Sequence, residues 1–180
     1  MKTLLCSALV ILLFCGCSVV HSQQPVGLTP KDISNEVDDW EGVWSSGEGY
    51  SEIFVENGSN GMVRLAGMGR ENGEIQLQTY DIQLRDAGKW TFVNMIDEDT
   101  DNGLYLWGRI KMEDGVALVW FPDVEKITTL IEAGTLPGTT NGSGSVLGSL
   151  TTNHYDIICS DSENILFEWD EPMVLWKMSK

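Results

Sequence analysis

The fold is decided by residues 104–121, which read LYLWGRIKMEDGVALVWF. From Leu104 to Met112 every second residue is nonpolar, a period of two that is typical of a strand with one buried face. Asp114-Gly115 then marks a turn, and Val116–Phe121 is a nearly continuous apolar run. The stretch therefore predicts two antiparallel strands joined by a tight turn.

The same pattern extends upstream of these two strands. Short alternating stretches are each closed by turn residues, among them Asn57–Gly61, Asn72-Gly73 and Ala87-Gly88. The alternation slips once, at Thr79, which indicates a β-bulge. Counting the pair above, seven strands are predicted, at residues 43–46, 50–56, 62–69, 74–84, 89–96, 104–112 and 116–121.

Downstream of residue 121 the apolar period changes from that of a strand to that of a helix. Asp123 is a suitable N-cap for a helix that ends at Gly134. The apolar side chains of this helix share one face: Val124, Ile127, Leu130 and Ile131. A loop rich in Gly, Ser and Thr follows at residues 135–145. The remaining predicted elements are a strand at 146–150, a short helix at 152–159 and a closing strand at 172–178.

This order of elements predicts a mainly β fold. Eight or nine antiparallel strands with close turns most readily close into a barrel, since closure removes the exposed edges of so long a meander. We therefore predict an antiparallel meander that forms an 8–9-stranded barrel with one or two short helices. A β-sandwich is the alternative.

The composition limits the partners. The 180 residues correspond to one domain, and they carry 27 Asp and Glu against 11 Lys and Arg, a formal net charge of −16. Such a surface repels phosphates, which argues against nucleic acid and against docking to anionic lipid head groups. A basic protein is the kind of macromolecule that this charge attracts, although an acidic surface more often serves solubility alone.

The N-terminus resembles an export signal. Lys2 precedes an apolar run that ends at Cys17 and is too short for a membrane span. Phe14-Cys15-Gly16-Cys17 resembles the bacterial lipobox, whose last cysteine is diacylated and becomes the new N-terminus. The resemblance implies a signal peptide at residues 1–17, lipidation at Cys17, and a cell-envelope protein anchored by lipid and facing the periplasm or the exterior. Cleavage after Ser22, giving a secreted protein, and an uncleaved anchor are the alternatives.

The segment after the signal looks unlike the rest of the chain. Residues 18–39 are polar, contain Pro25 and Pro30, and show neither a helical nor an alternating apolar period. We predict that they form a tether. A single β-barrel domain then covers residues 40–180.

A short motif at the start of the first predicted barrel strand suggests a family. Gly42-Val43-Trp44 resembles the Gly-x-Trp of the first strand in lipocalins and related calycins, where the Trp plugs one barrel end beneath a basic residue near the C-terminus. The resemblance implies that Lys177 or Lys180 covers Trp44. The chain departs from the family in lacking a Thr-Asp-Tyr segment and in placing the helix at 123–133 between strands. Only the architecture is carried over, and no ligand class.

Residues suited to catalysis or metal binding are few. His154 and Cys159 are the one His and the one Cys predicted in the domain, and a lone Cys is usually a small buried hydrophobe. The acidic loop at 97–103 alternates Asp like a calcium loop but lacks the closing Glu. A second acidic group at 161–171 contains enough carboxylates for a glycosidase-like pair, a remote alternative. No enzyme, metal or cofactor is predicted.

Seven tryptophans are numerous for so small a domain. Core packing is their ordinary role, and the functional alternative is that Trp90, Trp107 and Trp120 line a ligand cavity. We therefore predict a non-enzymatic, lipid-anchored envelope protein that binds a small apolar ligand or has a structural role. The alternative is an acidic protein-binding module, such as an inhibitor of a basic secreted enzyme.

Overall fold

Of the residues that the computed structural model describes, 53% lie in strands and 16% in helices, which confirms a mainly β fold. The structure describes residues 19–46, 49–71, 74–98, 100, 102–141, 144–160, 166–167, 170 and 172–178. The predicted signal peptide and Cys17 lie outside these residues. So do Lys180, part of the acidic loop and most of the second acidic group.

Twelve strands lie in the described residues, and seven of them were predicted between residues 43 and 121. Their bounds are β1 Val19–Ser22, β2 Thr29–Pro30, β3 Gly42–Ser45, β4 Tyr50–Asn57, β5 Met62–Glu71, β6 Glu74–Ala87, β7 Trp90–Ile96, β8 Tyr105–Glu113, β9 Val116–Trp120, β10 Gly138–Asn141, β11 Gly144–Leu147 and β12 Met173–Lys177. The helices are α1 Val37–Trp40, α2 Val124–Glu132 and α3 Thr152–Ile158, with a single 3₁₀ turn at Gly58–Asn60.

Eight of these strands form a closed antiparallel barrel. Strands β3 to β9 pair in chain order, and β12 fits between β3 and β9. The barrel is closed by β12 because its pairing joins the first strand of the meander to the last. The prediction of a barrel is confirmed, and the sandwich alternative is not observed.

A small second sheet branches from the barrel at β8. The far half of β8, from Arg109 to Glu113, pairs with β9, whereas its first residues, Tyr105 and Leu106, pair with β1. Strand β1 also pairs in parallel with β11, and β11 pairs with β10. Strand β8 is therefore shared by the barrel and the small sheet.

The prediction of a tether at residues 18–39 is wrong for the part that the structure describes. Val20, Val26 and Ile33 are buried at 3%, 0% and 0% exposure, and β1 and β2 belong to the sheet. The folded unit therefore begins before residue 40. These three residues lie six and seven positions apart and insert singly into the core, so they show no strand or helix period.

Side chains from the barrel hold this N-terminal segment in place. The Asn94 side chain accepts a hydrogen bond from the Val26 N–H at 2.6 Å and donates one to the Val26 carbonyl at 2.9 Å. Gly27 has φ +120°, and an added Cβ would lie 2.4 Å from Arg85 Cβ, so only glycine fits. The Gly27 N–H donates to the Tyr155 hydroxyl at 2.9 Å. Burial raises the pKa of Tyr155, and this hydrogen bond partly opposes the increase.

The alternating side chains build two separate cores. Inward-facing residues fill the barrel: Ile33, Trp40, Trp44, Ile53, Val63, Leu65, Leu84, Ile110, Ala117 and Val119. A second cluster joins the outward-facing side of β7, β8 and β9 to the helices, the small sheet and neighbouring segments: Val20, Val26, Ala87, Phe92, Trp107, Trp120, Ile127, Leu136, Leu147, Tyr155, Ile158, Leu166 and Phe167. We call these sets the inner core and the outer core.

The predicted bulge at Thr79 is wrong. The β5–β6 pairing keeps one register from Met62↔Gln83 to Glu71↔Glu74, and the pairing shift lies instead between Val55 and Asn57. What changes near Thr79 is the face that carries apolar side chains. Ile75 and Leu77 point outward and are 63% and 66% exposed, whereas Leu84 points into the barrel and is fully buried.

The predicted helix at 123–133 is confirmed as α2. The Asp123 side chain caps it by accepting from the Lys126 N–H at 3.1 Å, and the chain leaves the helix through Gly134 at φ +70°. The short helix α3 and the closing strand β12 are also confirmed. The predicted loop at 135–145 contains β10, the strand predicted at 146–150 is β11 at Gly144–Leu147, and α1 was not predicted.

Candidate ligand cavity in the barrel

The barrel contains an apolar cavity of ≈ 80 Å³. It lies in the inner core, because the alternation of seven barrel strands directs one residue in two toward it. Asn94 is the one amide or charged residue among the lining residues. They are Trp40, Ile53, Val63, Leu65, Ile82, Leu84, Val93, Asn94, Met95, Leu106, Trp107, Ile110, Val119, Phe121 and Leu175.

The cavity offers little to a polar ligand atom. The Asn94 side chain is committed to the backbone of Val26 and, at 3.3 Å, to the Gln83 carbonyl. A polar atom without a hydrogen-bond partner in such a site costs roughly 1–3 kcal/mol. The cavity therefore favours a hydrocarbon group over a polar one.

Trp44 is buried inside the barrel, as predicted, at 1% exposure. Its indole N–H donates to the Trp40 carbonyl at 2.9 Å, so the ring is held against α1, which precedes β3. The Lys177 ammonium lies 5.8 Å from the centre of the Trp44 ring and hydrogen-bonds to the Asp38 carbonyl. Lys177 thus has the covering role that the sequence resemblance assigned to Lys177 or Lys180. The barrel is compatible with a lipocalin-like architecture.

The three tryptophans predicted to bind ligand do not act together at this cavity. Trp107 lines it, although the ring also packs edge-on against Phe167, with 5.9 Å between centroids. Trp90 and Trp120 belong to the outer surface of the barrel wall and pack edge-to-face at 6.5 Å. Side chains along β7 and β9 alternate between the two faces of the sheet, and both tryptophans lie on the face opposite to Val93 and Val119. The closure of the barrel makes that face the outer one.

Arg109 is a buried cation that was not predicted as a site residue. It is fully buried in the outer core, with its guanidinium 4.0 Å from the Trp90 ring centre and 4.2 Å from that of Phe167. Its Nη2 donates to the carbonyl of Ile158, the last residue of α3. Arg109 therefore joins the barrel wall to α3 and to residues 166–167. The sequence signal was a lone Arg within the apolar strand β8.

The residues considered for catalysis have structural contacts. His154 Nδ1 accepts from the Thr151 N–H at 3.0 Å at the start of α3, and Cys159 Sγ donates to the Ala87 carbonyl at 3.4 Å. His21, which the sequence assigned to the signal region, lies in β1 and is 2.7 Å from the Asp97 carboxylate.

The described residues contain neither a group of metal ligands nor a helix suited to a membrane. No three His, Cys, Asp or Glu side chains among them are grouped so that they could hold a metal ion. None of their helices has the length and apolar character that crossing a membrane requires.

A row of apolar side chains covers part of the outer barrel face. The strand pairings place Trp176, Tyr50, Met68 and Leu77 side by side across β12, β4, β5 and β6, with Ser45 between the first two. Their exposed fractions are 47%, 64%, 58% and 66%. We call these four residues the outer apolar row. Contiguous exposed apolar side chains are typical of interaction surfaces.

Comparison of the chain with protein-family models, with curated proteins and with solved structures finds no match.

Proposed function

We propose that the protein binds a small apolar ligand inside its barrel and is held at the cell envelope by a lipid on Cys17. The observation that carries the first part is the cavity of ≈ 80 Å³ with an almost wholly apolar lining. Cavities of this kind stay dry and bind small hydrocarbons, because water gains too few hydrogen bonds there.

The cavity volume limits the size of the ligand group. Drug-sized ligands occupy pockets of roughly 300–1,000 Å³. The volume of ≈ 80 Å³ is well below that range. A single ring or the end of an alkyl chain is the group that fits.

Toluene is a suitable probe of this cavity. We expect saturating toluene to shift the methyl NMR signals of Leu84, Val93 and Val119, which line the cavity. Filling the space with Val93→Leu and Val119→Ile should weaken binding about tenfold, since the added methyl groups occupy the site. Val43→Leu, on the 41% exposed outer side of β3, is the matched control and should leave binding unchanged. Unshifted lining methyl signals at saturation would contradict the proposal.

The position of β1 supports processing at Cys17. Cleavage after Ser22 would remove all of β1, whose Val20 and Ser22 are buried at 3% and 1% exposure. Cleavage before Cys17 would leave β1 intact, since it begins at Val19. The lipid would then be attached two residues from the sheet, so the barrel would lie close to the membrane surface.

Substitution at Cys17 tests the anchor. We expect Cys17→Ser to abolish acyl labelling and to release the protein from the membrane fraction. Cys15→Ser, two residues away, is the control and should keep both properties. An unlabelled wild-type protein that still fractionates with membranes would show that another kind of anchor is used.

A protein-binding role is the second candidate, and the outer apolar row is the observation that favours it. Tyr50 and Leu77, at 64% and 66% exposure, are the most exposed of the four. The net charge of −16 would favour a basic partner around such a row. A barrel that takes no hydrocarbon in the toluene experiment would leave this surface as the better candidate.

A further inference from the structure

A second cleft shares two of its lining residues with the barrel cavity. It has a volume of ≈ 460 Å³, within the usual range for ligand sites. Trp40 and Ile110 line both the cleft and the cavity. A ligand in the cleft therefore contacts two residues that also bound the apolar interior.

The cleft gathers cations in an acidic protein. Lys31, Lys89 and Lys111 all line it, three of the 11 basic residues in the sequence. Lys31 precedes α1, Lys89 belongs to the β6–β7 turn and Lys111 lies in β8, so the fold brings them together from distant parts of the chain. A cluster of ammonium groups is the feature that recognises an anionic ligand atom.

Carboxylates lie close to two of the three lysines, and one of these carboxylates, that of Glu36, belongs to a residue that lines the cleft. Lys31 lies 3.9 Å from both Glu36 and Asp86, a separation too long for a hydrogen bond. Lys111 forms a 2.7 Å pair with Glu113, whose side chain is 66% exposed. Exposed pairs of this kind are weak and readily exchange partners.

Most of the remaining lining is apolar or aromatic, apart from Glu36 and Thr91. Trp40, Trp90, Ile110 and Met112 line the cleft beside the lysines. The Lys89 ammonium lies 5.5 Å from the Trp90 ring centre, which places a positive charge directly beside an aromatic wall. A ligand that binds both the lysines and the apolar side chains carries an acid group and a hydrocarbon part.

We propose that this cleft binds the acid group of an amphipathic organic anion, in the simplest case a carboxylate, whose apolar part lies against Trp40 and Ile110. This inference rests on the proposed apolar-ligand function, which it makes more specific. The lysines bind the head group, and the wall formed by Trp40 and Ile110 directs the chain toward the barrel interior.

The test compares octanoate with 1-octanol, which share a chain and differ in charge. Calorimetric titration of the folded protein at low ionic strength should show tighter binding of octanoate. Lys89→Met with Lys111→Met should lower octanoate affinity about three- to tenfold, the loss expected for two partly exposed charges, and should leave octanol affinity unchanged. Added salt should reduce the difference between the two ligands.

A second double variant separates the cleft from the overall charge. Lys126→Met with Arg64→Met removes two cations that lie outside the cleft and are 39% and 43% exposed. It should leave the affinity for both ligands unchanged. An equal loss of octanoate affinity in this control would show a long-range charge effect and would overturn the cleft site.

The remaining outcomes distinguish the two proposals. Equal affinity for octanoate and octanol, unaffected by the Lys89 and Lys111 substitutions, would overturn the anion site and leave the apolar-ligand function intact. Failure of both compounds to bind would overturn the anion site, while the toluene experiment decides the apolar-ligand function separately.

Discussion

Replacing Trp44 with Ala is expected to lower the free energy of unfolding by about 3–5 kcal/mol, the usual range for deleting a buried aromatic side chain. The ring is 1% exposed, donates to the Trp40 carbonyl and lies beneath the Lys177 ammonium. Its loss would leave a cavity and an unpaired backbone carbonyl at the end of α1. The expected loss is a large part of the roughly 5–15 kcal/mol by which a domain is stable.

Chemical denaturation curves measure this effect, and Trp176 provides the control. Trp176 lies in β12 beside Lys177 but points outward, with 47% exposure. Trp176→Ala should therefore change the free energy of unfolding by less than about 1 kcal/mol. If Trp44→Ala also changed it by less than that, Trp44 would not be an essential part of the inner core. The similarity to the lipocalin plug would then have no energetic basis.

Replacing Arg109 with Ala is expected to cost about 2–5 kcal/mol, as for large-to-small substitutions in a core. The guanidinium fills the space between the Trp90 and Phe167 rings and donates to the Ile158 carbonyl. Its positive charge is also favourable at the C-terminal end of α3. The substitution removes all three interactions, so amide hydrogen exchange in α3 should accelerate more than in β4 or β5.

Arg64→Ala is the matched control for this prediction. Arg64 pairs with Glu56 at 2.9 Å and with Asp81 at 2.8 Å, but its side chain is 43% exposed. Solvent screens such pairs, so the expected loss is below about 1 kcal/mol. Arg109→Met, which keeps much of the volume, should cost less than Arg109→Ala. Equal losses for Arg64→Ala and Arg109→Ala would show that burial among the rings adds nothing to the stability.

The barrel strands were predictable because their signals are local. Alternation within β8, the Asp114-Gly115 turn and the Asp123 cap each depend on neighbouring residues, so they can be read without knowing the rest of the fold. Trp44 beneath Lys177 was also anticipated, from the motif around it.

The N-terminal segment was not predictable in the same way. Its three buried residues, Val20, Val26 and Ile33, enter the core one at a time. Each is buried only once β8, β11 and the barrel are in place around it. Similarly, Leu77 is an apolar residue on the outer face of β6. In the sequence this change of face looks like a bulge, although the pairing of β6 with β5 is regular.

The sequence by itself determined the β meander, the capped helix α2 and the acidic surface, since each follows from the period, turn residues or charge of a short stretch. Only the tertiary structure decided which tryptophans face the cavity and where the lysines meet. Trp90 and Trp120 face outward because barrel closure decides which face of each strand lies inside. Lys31, Lys89 and Lys111 share a cleft because the same closure brings distant parts of the chain together. Such long-range geometry is absent from any local pattern of residues.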